Sequence, residues 1–123
     1  MTLITRTKAT VGVARTISAN CIRYKAGETI ERGQPVYIAS TGLGMLASSA
    51  AAASAQARGL AIHDNVSGQW DDLLERGEIE GFSGMTPGGA VYVNLSGELG
   101  DAAGDNSKYV GYALSATLMR VTL

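Results

Sequence analysis

A repeated phrase constrains the fold of this chain more than any other feature of its sequence. Residues 33–38, GQPVYI, return in altered form at residues 88–93 as GGAVYV, so that position 33 matches position 88, an offset of 55. Further on, GLAI at residues 59–62 matches GYAL at residues 111–114, an offset of 52. The loops between the matched segments differ in length and composition, as loops do when the strands around them are kept. The pattern therefore indicates an internal duplication.

Short strand signals separated by turn residues follow one another along the chain. We predict strands at residues 35–39, 43–46, 60–63, 90–95, 109–114 and 117–123, with Gly, Ser, Asp and Asn between them. Residues 70–82 favour a strand over a short helix at residues 71–76, and the Ala/Ser-rich segment 47–58 favours a loop with at most one helical turn. The sequence predicts an all-β fold, either a small β-barrel or a β-sandwich.

The duplication also predicts the domain organisation. Two similar units, about residues 27–66 and 82–118, should lie in a single compact β domain of residues 20–123. Each unit has too few strands to bury a face alone, so the two are expected to pack together. Residues 1–19, rich in Thr, Val and Ile, predict an extended N-terminal arm or an edge strand.

Charge and composition exclude some classes of function. Ten Lys and Arg residues face eleven Asp and Glu residues, a formal net charge of −1, and no basic run suggests nucleic-acid binding. We find no secretory signal and no apolar window of membrane-spanning length, so we expect a protein that is made in the cytoplasm and binds no membrane. A net charge near zero favours association with other copies or partners.

Few residues offer catalytic chemistry. His63, the one histidine, precedes Asp64, but neighbouring strand residues point to opposite faces, so we expect a surface histidine. Glu78 and Glu80 should share one strand face, where Arg76 favours a solvated charged surface over a pair of catalytic or metal-binding acids. We therefore expect no enzyme activity and no catalytic residues.

Cofactor and metal sites are not expected either. Cys21 is the only cysteine, which excludes an internal disulfide and a cysteine-rich zinc site. Its neighbours Ala19 and Ile22 favour a small buried side chain. Residues 101–107, DAAGDNS, lack the alternating acids and the closing glutamate of a calcium loop. We predict no metal and no cofactor.

Most of the chain, about residues 26–121, resembles the small capsid cement or decoration proteins of tailed bacteriophages. The resemblance lies in four segments: AGETIERGQPVYIASTG, ARGLAIHD, GEIEGFSGMTPGGAVYVNLSGELG and YVGYALSATLMRV. It implies a non-enzymatic structural protein of the virion, made in the cytoplasm of the host bacterium. Such a protein binds the outside of the phage head and stabilises the junctions between major capsid protein subunits.

The resemblance also implies partners and contacts. The major capsid protein is the expected partner, and a homo-oligomer is expected, with a trimer favoured and a dimer possible. In the N-terminal arm, Arg6, Lys8 and Arg15 are candidate partners for acidic capsid patches, although their charge also serves solubility. The other candidates for capsid or subunit contact are the loop 48–56, Trp70, Tyr37 and Tyr92. Each has an alternative without a contact role. Trp70 would then lie in the core, and the loop would be an unconstrained connection. The two tyrosines would be half-buried, with the hydroxyl at the rim.

Two other classes of function remain open at this stage. One is a different phage structural or adhesion module, associated with the tail or the fibres. The other is a small enzyme or a sugar-binding β domain, which would need a concave site with converging polar groups.

Overall fold

The computed structural model describes residues 3–6, 10–104 and 106–123, without the side chains of residues 15–18. The fold is all-β, as predicted, and the described strands form one curled antiparallel sheet. In chain order the strands are β1 (Leu3–Arg6), β2 (Gly12–Lys25), β3 (Pro35–Ile38), β4 (Gly44–Leu46), β5 (Gly59–Ala61), β6 (Trp70–Glu80), β7 (Phe82–Ser83), β8 (Ala90–Val93), β9 (Leu99–Gly100), β10 (Tyr109–Ala113) and β11 (Leu118–Thr122). Each strand predicted from the sequence is present, with somewhat different bounds.

The duplication read from the sequence is present in the strand pairing. β3 pairs with β4 and β5, and β8 pairs with β9 and β10. The register is also the same. Tyr37 lies opposite Met45, and the residues 55 positions later, Tyr92 and Gly100, also lie opposite each other. The two copies therefore share their pairing residue by residue.

Turn geometry repeats as well. Gly33 has a φ of 86° and its counterpart Gly88 a φ of 81°, a left-handed conformation that costs a glycine little. The N–H of Gly33 donates to the Ala61 carbonyl at 2.6 Å, and the N–H of Gly88 donates to the Ala113 carbonyl at 2.7 Å. The same turn thus connects the start of β3 to β5 in the first copy and the start of β8 to β10 in the second.

The duplication extends one strand beyond what the sequence indicates. β5 pairs with the first half of β6, and β10 pairs with β11 in the matching register. We call β3, β4, β5 and the first half of β6 the first unit, and β8 to β11 the second unit. The second half of β6 pairs with β11, which gives the palindromic order β4-β3-β5-β6-β11-β10-β8-β9.

The N-terminal segment is part of this sheet. β1 pairs with β9 and β7, and β2 runs antiparallel to β6 along its whole length, with register shifts between Val13 and Cys21. Glu80 lies opposite both Gly12 and Leu118, so β2 and β11 occupy opposite edges of β6. Residues 3–6 and 12–19 therefore belong to strands of the fold.

Side chains on both faces of the first unit are buried. Ala61 and Leu73 lie opposite each other on one face and are fully buried in a small cluster with Val36. Leu60 and Leu74 lie opposite each other on the other face and are fully buried in a larger cluster. That larger cluster also contains the inward side chains of the second unit, namely Val91, Val93, Leu99, Val110, Ala113, Met119 and Val121. The two units therefore share one core.

The Ala/Ser-rich segment packs into the space between the units. It is a loop with turns, as predicted, and Ala47, Ala55 and Ala57 are fully buried. The N–H of Ser49 donates to the carbonyl of Asn94 at 3.0 Å, which links the loop to the second unit. Small side chains are required here because the loop lies against the core.

Candidate interaction surfaces

Arg6 has internal partners. Its side chain is only 16% exposed, and Nη2 lies 3.8 Å from Oε1 of Glu31. Nη1 donates to the Arg32 carbonyl at 3.1 Å, and the aliphatic part of the side chain contacts Gly33. Arg6 therefore ties β1 to the turn before β3. Lys8 lies outside the described residues, as does the side chain of Arg15, whose backbone in β2 pairs opposite Glu78.

Trp70 lies on the surface at the start of β6, so the alternative of a core tryptophan is wrong. It is 57% exposed. The Arg23 guanidinium carbon lies 5.1 Å from the centre of the indole ring, a cation–π contact between β2 and β6. Lys25 lies directly opposite Trp70 in the strand pairing, and Asp72 lies opposite Arg23. We call these four residues the tryptophan patch.

An apolar turn borders the tryptophan patch. Val66 is 51% exposed and lies in the turn that leads into β6, where its carbonyl accepts a hydrogen bond from the Gln69 N–H at 3.1 Å. The patch combines an aromatic ring, two cations and a carboxylate on paired strands. Val66 adds an aliphatic side chain in the turn before β6. Of these residues, Trp70 and Arg23 are of the types that most often dominate the binding energy of protein contacts.

Tyr37 and Tyr92 are equivalent in register but differ in their surroundings. Tyr37 is half-buried and packs against the large core cluster. Tyr92 is half-buried on the outward face of the second unit, because its neighbours Val91 and Val93 point into the core. The expectation of half-buried tyrosines is confirmed, yet only Tyr92 lies on an outward face.

Three tyrosines share that outward face. Tyr92 lies opposite Tyr109 in the pairing of β8 with β10, and their rings meet edge to face with centres 5.9 Å apart at 70°. Tyr109 is 43% exposed. Tyr112 is half-buried and lies opposite Arg120 on β11. We call Tyr92, Tyr109, Tyr112 and Arg120 the tyrosine face.

Glu78 differs from its sequence-based expectation. It is a buried acid rather than part of a solvated pair, since its side chain is only 12% exposed. Its Oε2 lies 3.8 Å from Nη1 of Arg120, a partner that β11 supplies. Glu80, by contrast, is exposed. The ion pair places a compensating negative charge beneath the tyrosine face.

The expectation for Cys21 is wrong, because this cysteine is exposed. Its strand partner is Leu74, on the face of β2 and β6 that continues from the core to the tryptophan patch. Partial burial of the thiol, and then the charge of Asp72, raise the pKa of Cys21 above its ordinary value. The thiol is thus accessible but weakly acidic.

His63 is a surface residue, as expected, but its partner is not its neighbour in sequence. Its Nδ1 lies 2.9 Å from Oδ1 of Asp71, and its side chain is 62% exposed. Asp64 instead lies 3.4 Å from Nη2 of Arg32 and accepts a hydrogen bond from the Arg32 N–H.

A groove of about 430 Å³ lies beside β7. Its described lining residues are Thr10, Glu80, Gly81, Phe82, Ser83 and Thr117, which hold a single carboxylate and neither histidine nor cysteine. Within residues 3–6, 10–104 and 106–123, no three His, Cys, Asp or Glu side chains come together as metal ligands. In the same ranges no helix is long and apolar enough to cross a membrane.

Comparison with known proteins places the chain in no group. No model of a protein family matches it, and no curated protein sequence is similar enough to count as a match.

Proposed function

We propose that this chain is a capsid cement, or decoration, protein of a tailed bacteriophage. In this proposal it is made in the bacterial cytoplasm and becomes part of the virion. It binds the outside of the assembled head and stabilises the junctions between major capsid protein subunits. The observation that carries the proposal is the tryptophan patch on a rigid two-unit β block, together with the resemblance of four sequence segments to this class.

The tryptophan patch has the properties of a protein contact. Trp and Arg are the residue types that most often dominate binding energy, and Trp70 leaves more than half of its surface in water, at 57% exposed. Trp70 and Arg23 stand on paired strands and already contact each other, so little side-chain freedom remains to be lost on binding. Arg23 and Lys25 suit an acidic surface of the shell.

The shared core suits a protein that must resist force. Leu60 and Leu74 of the first unit are buried together with the inward side chains of the second unit, so the units cannot separate without exposing the core. A cement protein works in many copies, and the contacts of individual copies add up over the shell. A rigid block transmits mechanical force from one contact to another without deforming.

The test is binding to heads. Expanded, undecorated heads of the encoding phage are mixed with purified protein and sedimented, and the bound copies per major capsid subunit are counted. We expect saturation at a fixed ratio and heads that resist higher temperature. Trp70→Ala and Arg23→Ala should weaken binding by at least about tenfold, the loss expected for a contact worth about 1.4 kcal/mol.

Leu95→Ala is the matched control, because Leu95 is 56% exposed but lies in a turn of the second unit. It should bind heads as the natural sequence does. Failure of the natural sequence to bind heads would refute the proposal. A few copies found on tails or fibres instead would favour the alternative, a tail- or fibre-associated structural or adhesion module.

A further inference from the structure

One edge of strand β2 has no strand paired to it where β2 passes the tryptophan patch. Among the described strands, β2 pairs with β6 alone. Ala26, directly after β2, donates its N–H to the Gln69 carbonyl at 2.8 Å and its carbonyl accepts the Gly68 N–H at 2.7 Å, so both groups point to the β6 side. Backbone groups alternate in direction along an antiparallel strand. The N–H and carbonyl groups of Cys21 and Arg23 therefore point to the other side.

The next residue along the chain has the opposite direction, as this alternation requires. The N–H of Gly27 donates to the Gly44 carbonyl at 2.9 Å, and Ala26 forms an isolated bridge with Gly44. Strand β4 therefore closes this edge beyond Lys25. No described strand pairs with the edge at residues 21–25, whose side chains are all described. We call the side of residues 21–25 that faces away from β6 the free edge.

The side chains at the free edge carry positive charge. Arg23 is exposed and Lys25 is half-buried, and both lie on the same face of the sheet as Trp70. Within the described part of the chain, Asp72 forms no ion pair with either cation. A strand added at the free edge would place alternate side chains directly beside these two cations. Opposite charges stabilise such a cross-strand pair, and like charges destabilise it.

We propose that the free edge binds an extended acidic segment of the major capsid protein by strand addition, an inference that rests on the proposed function. The backbone of the segment pairs with the outward N–H and carbonyl groups of Cys21 and Arg23. Acidic side chains at alternate positions of the segment lie beside Arg23 and Lys25. Trp70, on the neighbouring strand, extends the contact over the same face.

The charges disfavour the other candidate occupant, which is β2 of a second copy. Two free edges that meet would bring Arg23 and Lys25 of one copy close to the same cations of the other copy. Cationic side chains are a common protection of edge strands against pairing of this kind. The same two cations attract an acidic segment, so the free edge selects between these partners by charge.

The first experiment removes one backbone donor from the free edge. Cys21→Pro deletes the N–H that points away from β6, and proline is tolerated on an edge strand where its nitrogen faces outward. Cys21→Ser is the matched control, because it keeps the N–H. Both proteins are checked by circular dichroism and titrated onto expanded, undecorated heads. We expect Cys21→Ser to bind as the natural sequence does, and Cys21→Pro to bind at least about tenfold more weakly.

A second set of variants tests the charge of the segment. Arg23→Glu should bind heads more weakly than Arg23→Ala, because it places an acid beside the acidic segment, and added salt should reduce the difference. Arg58→Glu, which changes an exposed arginine directly before β5, is the control and should bind normally. Equal binding by Arg23→Glu and Arg23→Ala would overturn the acidic character of the segment.

Hydrogen exchange of the natural sequence gives an answer even if Cys21→Pro does not fold. The backbone amides of Cys21 and Arg23 should exchange at least about tenfold more slowly on heads than in the protein alone. A folded Cys21→Pro protein that binds as Cys21→Ser does would overturn the strand addition. So would protection of these amides that appears without heads as the protein concentration rises, since it would assign the free edge to a second copy.

The outcomes for the two proposals can be told apart. A natural sequence that does not bind heads refutes the proposed function itself. A natural sequence that binds heads while the amides of Cys21 and Arg23 stay unprotected refutes only the strand addition.

Discussion

Leu60 and Tyr112 occupy the same place in the two units of this fold, yet Leu60 is fully buried and Tyr112 faces outward. Each follows a glycine, Gly59 or Gly111, whose missing side chain lets a neighbouring strand come close. One strand pattern has thus been used twice, once between two packed layers and once at the outer surface.

Truncating the two equivalent residues should affect stability unequally. Leu60→Ala removes a fully buried side chain from the shared core and should lower the free energy of unfolding by about 2–5 kcal/mol. Tyr112→Ala removes a half-buried side chain and should cost about 1 kcal/mol. Urea denaturation measures the free energy of unfolding of both variants. Equal losses would mean that the outward face is also covered within one chain.

A substitution at Gly111 tests how closely strands β10 and β11 approach each other. A Cβ added there would collide with the backbone carbonyl oxygen of Arg120, which cannot move without disturbing the strand pairing. Gly111→Ala should therefore lower the free energy of unfolding by at least about 2 kcal/mol.

Gly12→Ala is the control for this substitution. Gly12 also lies in a strand, but an added Cβ would meet nothing within 4 Å. Its stability should stay within about 0.5 kcal/mol of the natural sequence or rise slightly. A Gly111→Ala protein as stable as Gly12→Ala would show that the strands are farther apart than described.

We expect the protein to lose stability at alkaline pH because of Tyr24. It is 2% exposed, and its hydroxyl has no hydrogen-bond partner among the described residues. Burial, and then the charge of Asp71, raise the pKa of Tyr24, although the nearby Asn65 side chain acts in the opposite direction. Because an unfolded tyrosine ionises near about pH 10, this contribution to stability is complete below that pH and is lost as the pH rises towards the folded-state pKa.

Tyr24→Phe should remove this part of the pH dependence. The drop in melting temperature between about pH 8 and pH 10.5 should be smaller for Tyr24→Phe than for the natural sequence. Tyr112→Phe, which changes a half-buried tyrosine, should keep the full drop. An identical drop in all three proteins would contradict the assignment to Tyr24.

Cys21 should react in the folded protein, but slowly. Since the thiol is exposed and its pKa is raised, a disulfide reagent should modify it without denaturant, at a lower rate than in the unfolded chain at the same pH. Asp72→Asn removes one cause of the raised pKa and should speed the reaction. Glu80→Gln, at the far end of the same strand, should not. A folded protein that resists the reagent would show that Cys21 is covered.

The sequence predicted the duplicated part of the fold in detail. The matched glycines Gly33 and Gly88 do share a left-handed conformation, and Tyr37 and Tyr92 do share a register position. These features are local, because a turn conformation and a strand alternation depend on a few neighbouring residues. The strands β6 and β11 were predicted, but their correspondence in the duplication was missed, because they have almost no residues in common although they pair alike.

What covers each face could not be predicted from alternation. The pattern around Cys21 suggested burial, yet β2 pairs with β6 alone among the described strands, and the thiol is exposed. Glu78 is buried beside Arg120, which lies far away in the sequence but opposite Glu78 on the neighbouring strand β11. Both outcomes depend on which strands become neighbours in the sheet, and strand periodicity carries no information about that order.

The most direct test of the proposed function is to locate the protein on phage particles by electron cryomicroscopy. Heads of the encoding phage are imaged with and without the protein, and the two maps are subtracted. We predict added density on the outer surface at the junctions between capsid subunits, with the first unit and Trp70 towards the shell. Heads without added density, or density on tails or fibres alone, would contradict the proposal.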